Sequence, residues 1–219
     1  MSNVDKEILE KTYGKPGAVW TSSEPPIELV ELVESGKIKP CKCLDVGCGE
    51  GFYSIYLASK GFDVTAIDLS DNAIGYAKQN AEDAGVDVKF MVMDIAGLDK
   101  MDEKFDFVFE WAVMHLIMPE DRVKYVGDVG SLLNKYGKYF SVCFNERDPK
   151  FGGGKGLRTI PENARAIVGA KMYFSSLEEL GDLFESHFNV IESKVIEKEQ
   201  TGGTSVFNYF FMESIKDVE

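Results

Sequence analysis

The chain has little of what several protein classes require. Only two of its 219 residues are histidine, His115 and His187, far apart and without His-x-x-x-His spacing. An imidazole-based metal site therefore has almost nothing to draw on. Four cysteines, Cys41, Cys43, Cys48 and Cys143, form no framework. One Cys-x-Cys pair with no second pair at metal-like spacing reads as reduced structural thiols, and no metal is expected. Apolar runs reach strand length and no more, so no membrane span is expected. The polar, acidic start, Met1 to Glu10, lacks the apolar stretch of a signal peptide, and a cytoplasmic location is expected. Positive charge is scarce as well: 24 Lys and Arg stand against 37 Asp and Glu, a formal net charge of -13. That balance repels phosphate backbones, so no nucleic-acid partner is expected.

What the sequence does contain is alternation. Strand-like stretches at Cys41–Val46, Asp63–Leu69, Val88–Met93, Phe105–Glu110 and Tyr139–Phe144 are separated by helical patterns. Helices are expected over Phe52–Lys60, Asp71–Ala84 and Pro119–Asn134, the last with Val123, Val126 and Val129 on one face. Ser70 is placed to cap the second of these and Gly85 to stop it. Ahead of the first strand, Ile27, Val30 and Val33 mark a short helix. This pattern specifies an α/β fold, a doubly wound, mostly parallel sheet covered on both sides. Its strand ends and loops share one rim. After the fifth strand, Asn145 to Lys171 is glycine-rich and aperiodic, and reads as a mobile insertion or lid. A helix at Ser176–Phe184 and two strands at Phe188–Val195 and Ser205–Met212 close the chain, the strands as an antiparallel hairpin.

Between the first strand and its helix stands Leu44-Asp45-Val46-Gly47-Cys48-Gly49-Glu50-Gly51. Glycines there let backbone approach a ligand where side chains would collide. A dinucleotide loop wants glycine where this chain has Phe52, and a phosphate loop wants Gly-Lys-Ser/Thr where it has Gly51-Phe52-Tyr53. Asp68 ends the second strand, where a carboxylate can accept the ribose hydroxyls of an adenosine group, and Asp94 ends the third, beside Ile95. An acid at that point can take the adenine amino group while Ile95 and Leu69 sandwich the ring. Asp45 lies beneath the loop, placed to organise its amides or, through water, a ligand's ammonium group.

In combination these residues resemble the motifs of class I S-adenosylmethionine-dependent methyltransferases. Leu44 to Gly51 looks like the family's first motif, and Ala66-Ile67-Asp68-Leu69-Ser70 like its acid-ended second strand. Met93-Asp94-Ile95 resembles its adenine-binding turn, and Phe105 to Glu110 its fourth strand. The resemblance implies seven strands in three layers, order 3-2-1-4-5-7-6, with the last strand antiparallel. It also implies S-adenosylmethionine as cofactor, S-adenosylhomocysteine as product and in-line methyl transfer. Its cofactor-binding residues would be Asp45, Gly47, Cys48, Gly49, Gly51, Asp68, Leu69, Asp94, Ile95 and Glu110. The segment Glu110-Trp111-Ala112-Val113-Met114-His115 resembles the small-molecule enzymes of the thiopurine and tellurite-resistance type. Glu110 and His115 are accordingly the candidate catalytic residues, and Trp20, ahead of Pro25-Pro26, would cover the cofactor's methionyl end. Residues 1–38 are expected as an arm and helix covering the cofactor site, and residues 39–219 as the methyltransferase domain with a flexible lid at about 146–172. Between Glu146 and Lys171 six basic residues oppose three acids, against the trend of the chain. A small-molecule acceptor is expected, and the local charge leaves an anionic one or a merely solvated loop open; the alternatives are a protein or nucleic-acid acceptor or a non-catalytic cofactor-binding scaffold. A monomer or homodimer is expected, and the acceptor atom stays open.

Overall fold

The structure is a computed structural model and describes residues 6–18, 20–160, 169–200 and 203–215. Two helices precede the sheet, α1 (Lys6–Thr12) and α2 (Ile27–Glu34). The alternating part then runs β1 (Lys42–Val46), α3 (Phe52–Ser59), β2 (Asp63–Asp68), α4 (Asp71–Ala84), β3 (Lys89–Val92), β4 (Phe105–Trp111), α5 (Pro119–Leu132) and β5 (Leu133–Phe144). Two short strands, β6 (Gly156–Thr159) and β7 (Lys171–Phe174), come before α6 (Leu177–Glu185), β8 (Phe188–Gln200) and β9 (Gly203–Ser214).

The large sheet has the order β3-β2-β1-β4-β5-β9-β8. The five N-terminal strands are parallel, and β9 runs antiparallel to both β5 and β8. With β6 and β7 set aside this is the expected order. The local signals behind it are in place: the Ser70 hydroxyl accepts the Ala73 amide at the start of α4, and Gly85 closes that helix at φ 67°. Ser176 caps α6 in the same way through the Glu179 amide.

Alternation along the strands feeds two cores. Leu44, Val46, Ile67 and Val108 face α5 and α6. Cys43, Val64, Phe107 and Phe109 face the opposite side, with Leu57 of α3 and Leu29 and Leu32 of α2. Helix α2 is therefore part of the sheet's own packing. Its inner face is rotated from the one expected. Leu29 and Leu32 are buried and Ile27 is exposed, because the flanking Pro26 and Ile38 contacts aim the leucines at the sheet. Helix α5 differs similarly: Val126 and Val129 are inside, but Val123 faces solvent and Arg122 and Tyr125 complete the buried stripe.

The described part of the insertion carries two strands that its composition does not indicate. Strands β6 and β7 pair antiparallel, Gly156 with Phe174 through Thr159 with Lys171. Ile160, Met172 and Phe174 form a small core against Phe144, Phe151 and Leu116. Residues 161–168 of the expected lid, including Glu162 and Arg165, lie outside the described residues. Replacing Leu32 by Ala should lower the unfolding free energy by about 2–5 kcal/mol in urea titrations. A change near zero would place α2 outside the core.

Candidate active site

Strand register builds the rim. Val46 pairs with Ile67 on one side and with Glu110 on the other, and Glu110 pairs with Ser141. One residue further along, Gly47, Asp68, Trp111 and Val142 stand in a row at the carboxyl edge. Asp68 pairs with Val92, so Asp94 lies just beyond, at the start of the turn after β3.

The glycine loop is pressed from three directions. A Cβ on Gly47 would lie 2.4 Å from Val113 Cγ2, and one on Gly51 would lie 2.8 Å from Ala77 Cβ and 2.9 Å from Phe90 Cζ. A Cβ on Gly49 would come within 3.0 Å of the Tyr13 hydroxyl. The loop is hung on β2: the Gly47 and Cys48 amides both donate to the Ile67 carbonyl, at 2.8 and 2.9 Å. Cys48 is half-buried, and all four cysteines are free thiols.

Asp68 Oδ2 accepts the Gly49 amide and Oδ1 the Ser70 amide, each at 2.9 Å. Burial raises its carboxyl above the usual range, opposed by these amides. Asp94 is exposed and its Oδ1 accepts the Ala96 amide, with Ile95 half-buried beside it and Leu69 half-buried at the end of β2. Asp45 does not take the first of its two expected parts, that of holding the loop amides. It is buried, its Oδ2 accepts the Ser54 hydroxyl at 2.5 Å, and no hydrogen bond joins it to a loop amide among the described residues. Burial pushes its pKa up to about 7, against the pull of Ser54.

Glu110 is fully enclosed at 0% exposure. Its Oε2 accepts the Val113 and Met114 amides at 2.8 and 3.2 Å, and its Oε1 accepts the Ser141 hydroxyl. It thereby braces a strained turn, since Ala112 between them sits at φ 67°. Burial raises its pKa to about 7. His115 is 4% exposed, lies 4.8 Å from the Phe144 ring, and has no hydrogen-bond partner for Nδ1 among the described residues. Burial, and then the nearby Arg122 charge, lower its pKa to about 3, so the ring is neutral at ordinary pH.

Arg122 has no counterpart in the sequence expectations. Its guanidinium, buried in α5, donates to the carbonyls of Ile117, Met114 and Tyr173 and to the Ser175 hydroxyl. It ties the turn after β4 to β7 and the chain that follows. Of the basic insertion residues, Arg158 lies over the Phe174 ring at 4.2 Å, and the exposed Lys155 pairs with Glu179 at 3.3 Å.

The N-terminal arm lies on the loop. Leu9, Tyr13 and Ala18 are buried with Ala73 of α4 and Ala170, and Trp20, Leu69 and Leu116 pack against them. The Trp20 indole N–H donates to the Tyr13 hydroxyl at 3.0 Å. Glu50, quoted in the loop motif without a role, is the arm's partner. It is 5% exposed and accepts the Gly17 and Ala18 amides and the Thr21 hydroxyl.

Residues 43–137, which hold the loop, both rim acids and the braced turn, match the model of the methyltransferase domain. Over that stretch, less than half of its length, the chain is similar to methyltransferase domains. It is 33% identical over 141 residues to the 2-heptyl-1-hydroxyquinolin-4(1H)-one methyltransferase of Mycobacteroides abscessus, a match covering 64% of this chain and 61% of that protein. A probable S-adenosyl-L-methionine-dependent methyltransferase, TehB of Haemophilus influenzae, is 33% identical over 94 residues, covering 42% of this chain and 32% of that one. The chain thus spans less than two thirds of the length of either relative. Among solved structures, the 1,6-didemethyltoxoflavin-N1-methyltransferase of Burkholderia thailandensis superposes with a TM-score of 0.76 at 20% identity, covering 96% of this chain and 87% of that one. This likeness establishes the methyltransferase fold, whose expected strand order the structure reproduces.

Two outcomes follow for the domain. A Gly47→Ala chain should be destabilised, since the new methyl meets Val113 in a left-handed backbone, and adding Val113→Ala should recover part of the loss in thermal melts. The raised pKa of Asp45 means that the folded state holds its proton more tightly than the unfolded chain. Its contribution is present at low pH and is lost as pH rises from about 4 to about 7. Asp45→Asn should therefore reduce the fall in stability between pH 5 and pH 8, measured by urea unfolding. An unchanged slope would mean that Asp45 titrates normally.

Proposed function

We propose that the chain transfers the methyl group of S-adenosylmethionine to a small-molecule acceptor, leaving S-adenosylhomocysteine. The observation that carries this is the row of Gly47, Asp68 and Trp111 across three adjacent strands, with Asp94 at the next strand end. Each Asp68 oxygen accepts one amide and keeps lone-pair capacity for a ribose hydroxyl. Asp94 is open to an adenine amino group, and Leu69 and Ile95 offer apolar surface to the ring. The residues present fit the cofactor. When bound, S-adenosylmethionine supplies a methyl carbon already activated by its sulfonium.

The protein's part is then to align the acceptor and exclude water. The acceptor side of the rim is aromatic: Trp111 and Phe144 are half-buried and both pack on Phe207, at 6.0 and 4.8 Å between ring centroids. We propose that Glu110 and His115 act there by position and not by proton transfer. Glu110 is enclosed and bonded to three donors, and a histidine with a pKa near 3 holds a proton too weakly to serve as base at neutral pH. An acceptor that arrives ionised or as a soft nucleophile suits this site. The excess of basic residues between Glu146 and Lys171 supports an anionic one. The hydroxyquinolinone and toxoflavin precursor in the relatives' names are likewise small acceptors.

S-adenosylhomocysteine at 100 times its Kd should stabilise the chain by about 2.7 kcal/mol, seen as a rise in Tm, while NAD should not. Asp94→Ala should weaken that binding about tenfold by calorimetry, as expected for a hydrogen bond to a carboxylate. Stabilisation by NAD alone would sink the methyltransferase reading.

A further inference from the structure

We propose that Glu50 is a latch that holds the N-terminal arm shut over the cofactor loop and so sets how long the cofactor stays bound. This rests on the methyl-transfer reading above. The side chain of Glu50 belongs to the loop that approaches the cofactor, yet it points into the arm. Its Oε1 accepts the Gly17 amide at 3.0 Å, the Ala18 amide at 3.0 Å and the Thr21 hydroxyl at 2.8 Å, and its Oε2 shares the Gly17 amide at 3.1 Å. Gly17, at φ 79°, turns two successive amides toward one point, an anion-binding nest. Loop and arm supply the two halves of this contact from positions more than 30 residues apart in sequence.

The rest of the arm shows what the latch controls. Tyr13 stands over Gly49, whose amide is held by Asp68, the acid placed for the ribose. Leu9, Tyr13 and Ala18 pack at once on Ala73 beside the loop, on Leu116 of the acceptor rim and on Ala170 of the insertion. A second tether works at the other end of the arm, where the Glu10 carboxylate accepts the Asp71 and Asn72 amides, but it is exposed. The Glu50 contact is the enclosed one. With the arm down, cofactor seated on Gly49 and Asp68 is covered, so exchange of cofactor for product requires the arm to rise and Glu50 to lose its donors together.

The test uses the full chain, with S-adenosylhomocysteine as the probe. In Glu50→Gln the carboxamide offers one acceptor oxygen where the carboxylate offered two, and it turns an NH2 group toward the arm amides. Thr21→Val removes one donor from the arm and leaves the loop intact. Hydrogen exchange of the ligand-free chain should show the Gly17 and Ala18 amides losing protection in Glu50→Gln, with global stability retained in Thr21→Val. Stopped-flow displacement should show S-adenosylhomocysteine leaving about tenfold to hundredfold faster from Glu50→Gln, and faster by a smaller factor from Thr21→Val. Unchanged protection in both variants would show that Glu50 is no latch. Lost protection with unchanged dissociation would show that the arm does not gate the cofactor. If the wild-type chain takes up no S-adenosylhomocysteine, the methyl-transfer reading falls and the gating with it; the exchange data then judge the tether alone.

Discussion

Close approach at one loop organises the molecule. Between β1 and α3 the backbone must pass where Val113, Tyr13, Ala77 and Phe90 all press inward, and at three positions even a methyl group has little or no room. The bare loop is therefore needed for the protein's own packing, besides the ligand proposed for it. Gly51 lets α4 and β3 sit against the loop, and Gly47 admits the turn that follows β4. Because these neighbours come from separate parts of the chain, the loop is where the arm, the rim and the sheet become one structure.

Around it, polar groups without solvent do the fastening. Glu110 holds the amides of a turn that contains a strained alanine, Asp45 holds α3 through Ser54, and Arg122 holds the same turn to the insertion through carbonyls. All three are buried; Glu110 and Arg122 are each met by several partners and Asp45 by Ser54, and a buried polar group stabilises only where it is met in this way. The rim is thus rigid on the β4 side. The N-terminal arm is held by Glu50 and by a small apolar cluster.

The alternating architecture was legible in the residues because it is local. Ser70 and Gly85 bracket α4 by their own hydrogen-bonding and backbone preferences, and strand-length apolar runs between such helices leave a parallel sheet as the economical solution. The inner faces of α2 and α5 were less legible. Ile27 and Val123 fit a helical period as well as Leu29 and Arg122 do, and only docking on the sheet chose between them. Strands β6 and β7 escaped notice because four-residue strands separated by a long aperiodic stretch carry no period of their own. Glu50 and Arg122 were invisible as partners for a related reason: an acid in a loop and a base on a helix both look solvated until the fold covers them.

By itself, the sequence determined the class of fold, the bare loop and the acids at the ends of β2 and β3, since spacing along a strand converts directly into position on a rim. Tertiary structure decided what those and neighbouring groups are bonded to. It turned Asp45 to Ser54, enclosed Glu110 and His115, and gave Glu50 to the arm. The physical reason is range: periodicity and capping act over a few residues, whereas a buried hydrogen bond needs two distant segments brought within about 3 Å.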